Sequence, residues 1–143
     1  ALSKLVRIAG GDQLHTGTAA GKMHGSITEV QSINRSLIRD WAHLKPVIPV
    51  ASGAVHPGNL PSNILFLGPE LTINLGGGIH GHPDGTRAGA KAARQAIDAI
   101  IQGKTLEEAA RESEVLRKAL EKWSYVPIPD DLKSHVTWWP SKN

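Results

Sequence analysis

Residues 75–85 read LGGGIHGHPDG, with five glycines, two histidines and a proline in eleven positions directly after the short apolar run LTINL. So much bare backbone at the end of a strand serves either a tight turn or an anion held by free N–H groups. Downstream, alanine-rich spacing predicts a helix from about Thr86 to Ile101, with Gly103 at its C-terminal end. Strand, glycine loop, helix is thus the unit. Upstream the same order occurs twice more. DQLHTGT runs into TGTAAGKMHG and a helix opened by Ser26 with Glu29, its apolar positions recurring to about Trp41. VIPVAS runs into SGAVHPGN and a short helix from about Asn59 to Phe66, closed by Gly68 and Pro69.

Alternating buried strands and helices indicate an α/β fold with a parallel sheet and crossover connections. Three strands are too few for a closed barrel, so the expectation is a small open sandwich or part of a larger barrel. Thr105 with Glu108 caps one more predicted helix, reaching about Trp123, and residues 124–143 have no period and read as an irregular tail. The chain starts without methionine on an amphipathic helix with Leu2, Leu5, Val6 and Ala9 on one face, as a piece of something larger would.

The totals restrict the function classes. In 143 residues, 16 basic and 13 acidic side chains give a formal charge of +3, scattered and not in a block, so no nucleic-acid partner is implied. The absence of cysteine removes disulfides, thiolate metal sites and a cysteine nucleophile, and suits a reducing compartment. No apolar run approaches a membrane span and no signal-peptide core is present, so a soluble cytoplasmic protein is expected.

In parallel α/β folds ligands sit at the C-terminal strand ends, where loops converge and helix N-termini present free N–H groups. All three loops leaving those ends are rich in glycine and small residues, which favours a phosphate. Each residue also has a plainer reading. The triple glycine can serve packing alone; Lys22 can be a solvated lysine or a charge delivered when a loop closes; His15 can be a satisfied core histidine or an anion donor. His80 and His82 lack a third ligand at metal spacing, which argues against zinc. Ser52 lacks a nucleophile-elbow context and reads as a hydrogen-bond donor.

Three strings, GGDQLHTGTAAGKMHG, PVASGAVHPGNLP and NLGGGIHGHPDGTRAGAKAARQAIDA, in this order, resemble the last three strand–loop units of the ribulose-1,5-bisphosphate carboxylase/oxygenase (RuBisCO) large subunit, closest to the archaeal type III forms. The resemblance covers residues 1–123. It implies a (β/α)8 barrel of which this chain holds strands six to eight with their helices. It implies that N–H groups at Gly76 and Gly77, with the turn at Gly53 and Ala54, hold one phosphate of ribulose 1,5-bisphosphate, and that Asn74 and Leu75 belong to the same substrate-binding edge. His15 and Ser52 contribute on the other side of the substrate. Lys22 closes over the site and stabilises the carboxylate that forms as CO2 adds to the enediol, giving two 3-phosphoglycerates.

The same resemblance implies Mg2+ in the complete enzyme, with ligands upstream of residue 1, an N-terminal part of the same subunit, and a homodimer or higher oligomer. The isolated chain would be inactive. Ala54, Asn74 and His24 depart from the family's usual glycine, glutamine and glutamate. Phosphate binding survives alanine at 54 provided that the turn needs no positive φ. Lys22 argues for a true carboxylase; the alternatives are a RuBisCO-like isomerase or enolase of a phosphorylated sugar, and a non-catalytic barrel fragment that complements a partner.

Overall fold

The computed structural model describes residues 1–21 and 26–125. Its centre is a parallel sheet in the order β1 (Gln13–His15), β2 (Ile48–Ser52), β3 (Thr72–Asn74). The register pairs His15 with Val50 and Ser52 with Asn74, so β2 and β3 end level while β1 ends two residues earlier. Pro49 sits in the middle strand without breaking the sheet. The N–H of Ile48 bonds Asp12 O toward β1, so position 49 faces the other neighbour, and β3 begins only opposite Val50. One sheet face carries Gln13, His15, Ile48, Ser52 and Asn74, exposed or half-buried, around a buried Val50; the other carries Pro49 and Ala51, both buried, with Leu14 and Ile73 half-buried.

The helices are α1 (Leu2–Ile8), α2 (Ile27–Ile38), α3 (Leu60–Leu67, entered through a 3-10 turn at Pro57–Asn59), α4 (Gly77–His80), α5 (Thr86–Ile101), α6 (Leu106–Arg111) and α7 (Glu114–Trp123). The Ser26 hydroxyl accepts the Glu29 N–H and opens α2 as expected. That helix ends at Ile38, short of Trp41, because Arg39 turns to extended backbone.

Three further expectations are corrected. The single helix expected from Thr105 to about Trp123 is two. Ser113 interrupts it: its hydroxyl accepts the Leu116 N–H to start α7 and donates to Gln95 Oε1 on α5. Part of the glycine stretch read as a loop is helical, since Gly76 caps the short α4. On α1 the apolar face points outward, with Leu2, Leu5 and Ile8 exposed, while Ser3 and Arg7 are buried.

The main core lies where α3, α5, α6 and α7 meet, around Leu60, Ala92, Ala96, Leu106 and Leu116, each at most 1% exposed. Small alanines on α5 let α7 approach closely. Among the described residues no helix is long and apolar enough to cross a membrane. Beyond Tyr125 the expected tail lies outside the described residues.

Candidate functional site at the strand ends

The parallel strands put the polar candidates at one end of the sheet. His15 closes β1 and Ser52 closes β2 on the same sheet face, and the His15 Nδ1 and Ser52 Oγ share a hydrogen bond of 2.7 Å. The serine is therefore a hydrogen-bonding group, as read, and the histidine is an exposed one, not a core residue. Asn74 closes β3 beside Ser52 and is exposed. Leu75 packs its side chain against the main core, so what it offers at the rim is backbone.

The two turns suspected of holding an anion are adjacent. After β2, Gly53 has φ 109° and Ala54 has φ 54°, so the turn uses left-handed backbone at both positions. The condition attached to alanine at 54 is therefore not met. Alanine occupies a conformation that costs an L-residue about 1 kcal/mol, yet its N–H remains in place. After β3 the triple glycine divides by role. A Cβ at Gly78 would collide with Val55 O and the His56 backbone, so this glycine lets the β3 loop press against the β2 loop. At Gly76 and Gly77 a Cβ would meet nothing within 4 Å. Packing explains the third glycine and leaves the first two bordering open space. Among the described residues, no hydrogen bond outside helices and strands uses the N–H of Gly53, Ala54, Gly76 or Gly77.

The loop after β1 joins the same rim. A Cβ at Gly21 would collide with Gly53 O, so the two backbones touch. Two side chains of the α3 entry stitch them further: Asn63 bonds the backbone of Ala19 and Ala20, and Asn59 bonds Ala20 O and Ala54 O. Neither asparagine was singled out from sequence. The available signal was a pair of amides four residues apart in the otherwise apolar run NLPSNILFL. Lys22 and His24 lie outside the described residues.

Behind these loops His56 stacks on Trp123 at 5.8 Å between ring centroids, with planes 15° apart, and burial pushes its imidazole below the ordinary range. His82 is a structural histidine. Its Nδ1 accepts the Asp84 N–H at 3.0 Å, which leaves Nε2 to donate to Val115 O at 2.8 Å. His80 pairs with Thr86 Oγ1 at 3.1 Å. Among the described residues no three histidines, aspartates or glutamates come together as a group that could hold a metal ion.

Comparison with known proteins gives a consistent picture. The family model for the catalytic domain of the ribulose bisphosphate carboxylase large chain matches residues 1–123. The ribulose bisphosphate carboxylase of Pyrococcus abyssi is 56% identical over 126 residues, which covers 88% of this chain and 30% of that protein. The crystal structure of octameric ribulose-1,5-bisphosphate carboxylase/oxygenase from Pyrococcus horikoshii superposes with a TM-score of 0.82 at 53% identity, over 85% of this chain and 30% of that one. A rubisco-like protein from Alicyclobacillus acidocaldarius superposes with a TM-score of 0.77 at 39% identity, over 85% of this chain and 30% of its own. The chain thus spans about 30% of the length of the relatives it matches.

Proposed function

This chain belongs to the ribulose bisphosphate carboxylase large-chain family, and we propose that it is the part of the (β/α)8 barrel that holds strands six to eight and supplies the phosphate-gripping strand ends and the loop lysine of a ribulose-bisphosphate carboxylase. One observation supports this most. Gly53–Ala54 and Gly76–Gly77 form two neighbouring turns whose N–H groups have no competing loop hydrogen bond among the described residues, Gly76 and Gly77 bordering open space, beside the His15–Ser52 pair.

Peptide N–H groups at Gly53, Ala54, Gly76 and Gly77, with Asn74 and Leu75 on the same edge, take one phosphate of ribulose 1,5-bisphosphate. The partial positive charge of free N–H groups favours the dianion without the entropy of ordering a long side chain. His15 and Ser52, already bonded to one another, present a preset donor–acceptor pair to the sugar hydroxyls. The Lys22 ammonium stabilises the carboxylate that develops as CO2 adds to the enediol, an interaction stronger in the transition state than before it. In the complete enzyme Mg2+ supplies Lewis-acid chemistry on ligands outside this chain. The active form is a subunit that includes the remaining barrel strands, assembled as a homodimer or higher oligomer in the cytoplasm.

Likeness to a rubisco-like protein, together with Asn74 and His24, supports a second reading: an isomerase or enolase of a phosphorylated sugar. A third is a non-catalytic barrel segment that complements a partner. Labelled CO2 supplied with ribulose 1,5-bisphosphate to the complete subunit separates all three. Label in 3-phosphoglycerate is the expected result; turnover of a phosphorylated sugar without label would select the second reading, and no turnover the third. In the labelled case, Lys22→Ala is expected to reduce carboxylation at least about 100-fold while enolisation, followed by exchange of the substrate C3 proton, falls far less. Equal losses in both would remove the assigned role.

A further inference from the structure

Asn63 and Asn59 have no part in the chemistry described so far. Asn63 is fully buried, and a primary amide in that position is costly unless both its acceptor and its donors are met. Here they are. Its Oδ1 accepts the N–H of Ala19 at 2.9 Å and of Ala20 at 3.3 Å, and its Nδ2 donates to Ala20 O and Asn59 O, each at 3.0 Å. One side chain thus reads the Ala19–Ala20 backbone in both directions, as a neighbouring strand would. Asn59 does the complementary work on the next loop: its Oδ1 accepts the His56 N–H at 2.9 Å, and its Nδ2 donates to Ala54 O at 3.1 Å and to Ala20 O at 3.0 Å. Ala20 O is the meeting point of both amides. The helix that carries them is anchored by Leu60 and Leu65 in the interior.

We propose that Asn63 and Asn59 are positioning residues, an amide clamp on α3 that fixes the Gly53–Ala54 turn and the Ala19–Ala20 segment at the mutual spacing a phosphorylated substrate requires. The proposal rests on the reading of Gly53 and Ala54 as phosphate donors. The reason for a clamp is visible at Ala54. Its φ of 54° is one that alanine leaves readily, and the Asn59 bond to its carbonyl restrains the residue there. Releasing that carbonyl lets the backbone relax toward negative φ, which turns the neighbouring N–H away from the anion. A side chain that only stabilised the fold would change melting temperature and leave substrate affinity alone; a positioning residue changes affinity at equal stability.

The test uses the complete subunit. Asn63→Leu keeps the branched heavy-atom shape and removes all four bonds; Asn59→Ala is the milder variant should the first not fold; Leu37→Ala, at a fully buried position on α2, is the stability control. Amide hydrogen exchange is followed at Ala19, Ala20 and His56, together with melting temperature and with KM and kcat for ribulose 1,5-bisphosphate. Both asparagine variants should exchange about tenfold faster or more at the amides they release, Ala19 and Ala20 for Asn63→Leu and His56 for Asn59→Ala. KM should rise about tenfold for Asn63→Leu and about threefold for Asn59→Ala, with a smaller change in kcat, while Leu37→Ala lowers melting temperature without moving KM. Unchanged exchange would overturn the clamp. Faster exchange with unchanged KM would overturn the positioning role. A wild-type subunit that does not turn over ribulose 1,5-bisphosphate would overturn the functional reading, and the positioning role with it, whatever the exchange data showed.

Discussion

Behind β3, helices α5, α6 and α7 close over a core in which Leu106 and Leu116 are at most 1% exposed, whereas beside β1 a single helix, α1, turns Leu2, Leu5 and Ile8 outward at 72%, 60% and 57% exposure. The first flank is held by apolar burial. The second is held mainly by Arg7, only 3% exposed, whose guanidinium donates to Ser36 O, Arg39 O, Leu44 O and Lys45 O at 2.7 to 3.3 Å and lies 5.9 Å from the Trp41 ring. Those carbonyls belong to the C-terminal end of α2 and the loop after it, where a cation meets the negative end of the helix dipole. The α1 flank is thus stitched by polar side chains, Arg7 and the Ser3–Ser36 hydroxyl pair at 3.0 Å, while its apolar residues face outward; among the described residues the outer edges of β1 and β3 alike have no pairing strand.

Truncating each flank's principal residue in the complete subunit tests that difference. Leu116→Ala removes a fully buried side chain from close-packed surroundings and should cost about 3 kcal/mol in urea unfolding. Arg7→Met keeps much of the volume but leaves four carbonyls without a donor, and should cost about 2 kcal/mol. If Arg7→Met proved neutral, the α1 flank would be held by contacts beyond this chain and the contrast between the two sides would vanish.

The same contrast decides how much was legible in the sequence. The strands, the Ser26 and Thr105 caps and the span of α5 followed from periodicity and capping chemistry, because those signals are local. Arg7 was not legible, since an arginine reads as a surface residue until the carbonyls that enclose it, 29 to 38 positions away, are known. The break at Ser113 was missed because its partner Gln95 lies on another helix. At the rim, residue chemistry pointed to the glycine turns and left His15 open between a core histidine and an anion donor; its bond to Ser52 needs the strand register to be seen. Which glycine packs and which faces open space depends on Val55 and His56, more than twenty positions upstream. Asn63 was passed over for a similar reason: its partners at positions 19 and 20 share no pattern with it.

A smaller effect is expected between the two flanks, at Ala54. Replacing it with glycine relieves a left-handed φ of 54° but adds freedom to the unfolded chain. The two terms oppose one another, and Ala54→Gly should stabilise by no more than about 0.5 kcal/mol. The unfolding midpoint measures it. A loss of stability would mean that the surrounding bonds, Asn59 to Ala54 O among them, already remove the strain that glycine would relieve.

The smallest effect is a pH dependence where the α7 flank reaches the rim. His56 stacks on Trp123 of α7, and burial holds its pKa below the ordinary 6.5. The folded state therefore binds fewer protons than the unfolded chain as pH falls, so the stability that neutral His56 contributes is fully present above pH 6.5 and declines below it. The ring is only half-buried, and an imidazolium over an indole gains some cation–π attraction, so the slope is shallow. His56→Phe keeps an aromatic ring against Trp123 and removes the titration. The drop in melting temperature between pH 7.5 and 5.5 should be smaller in that variant than in the wild type. Equal drops would assign the acid sensitivity to other groups and leave the His56–Trp123 contact as packing alone.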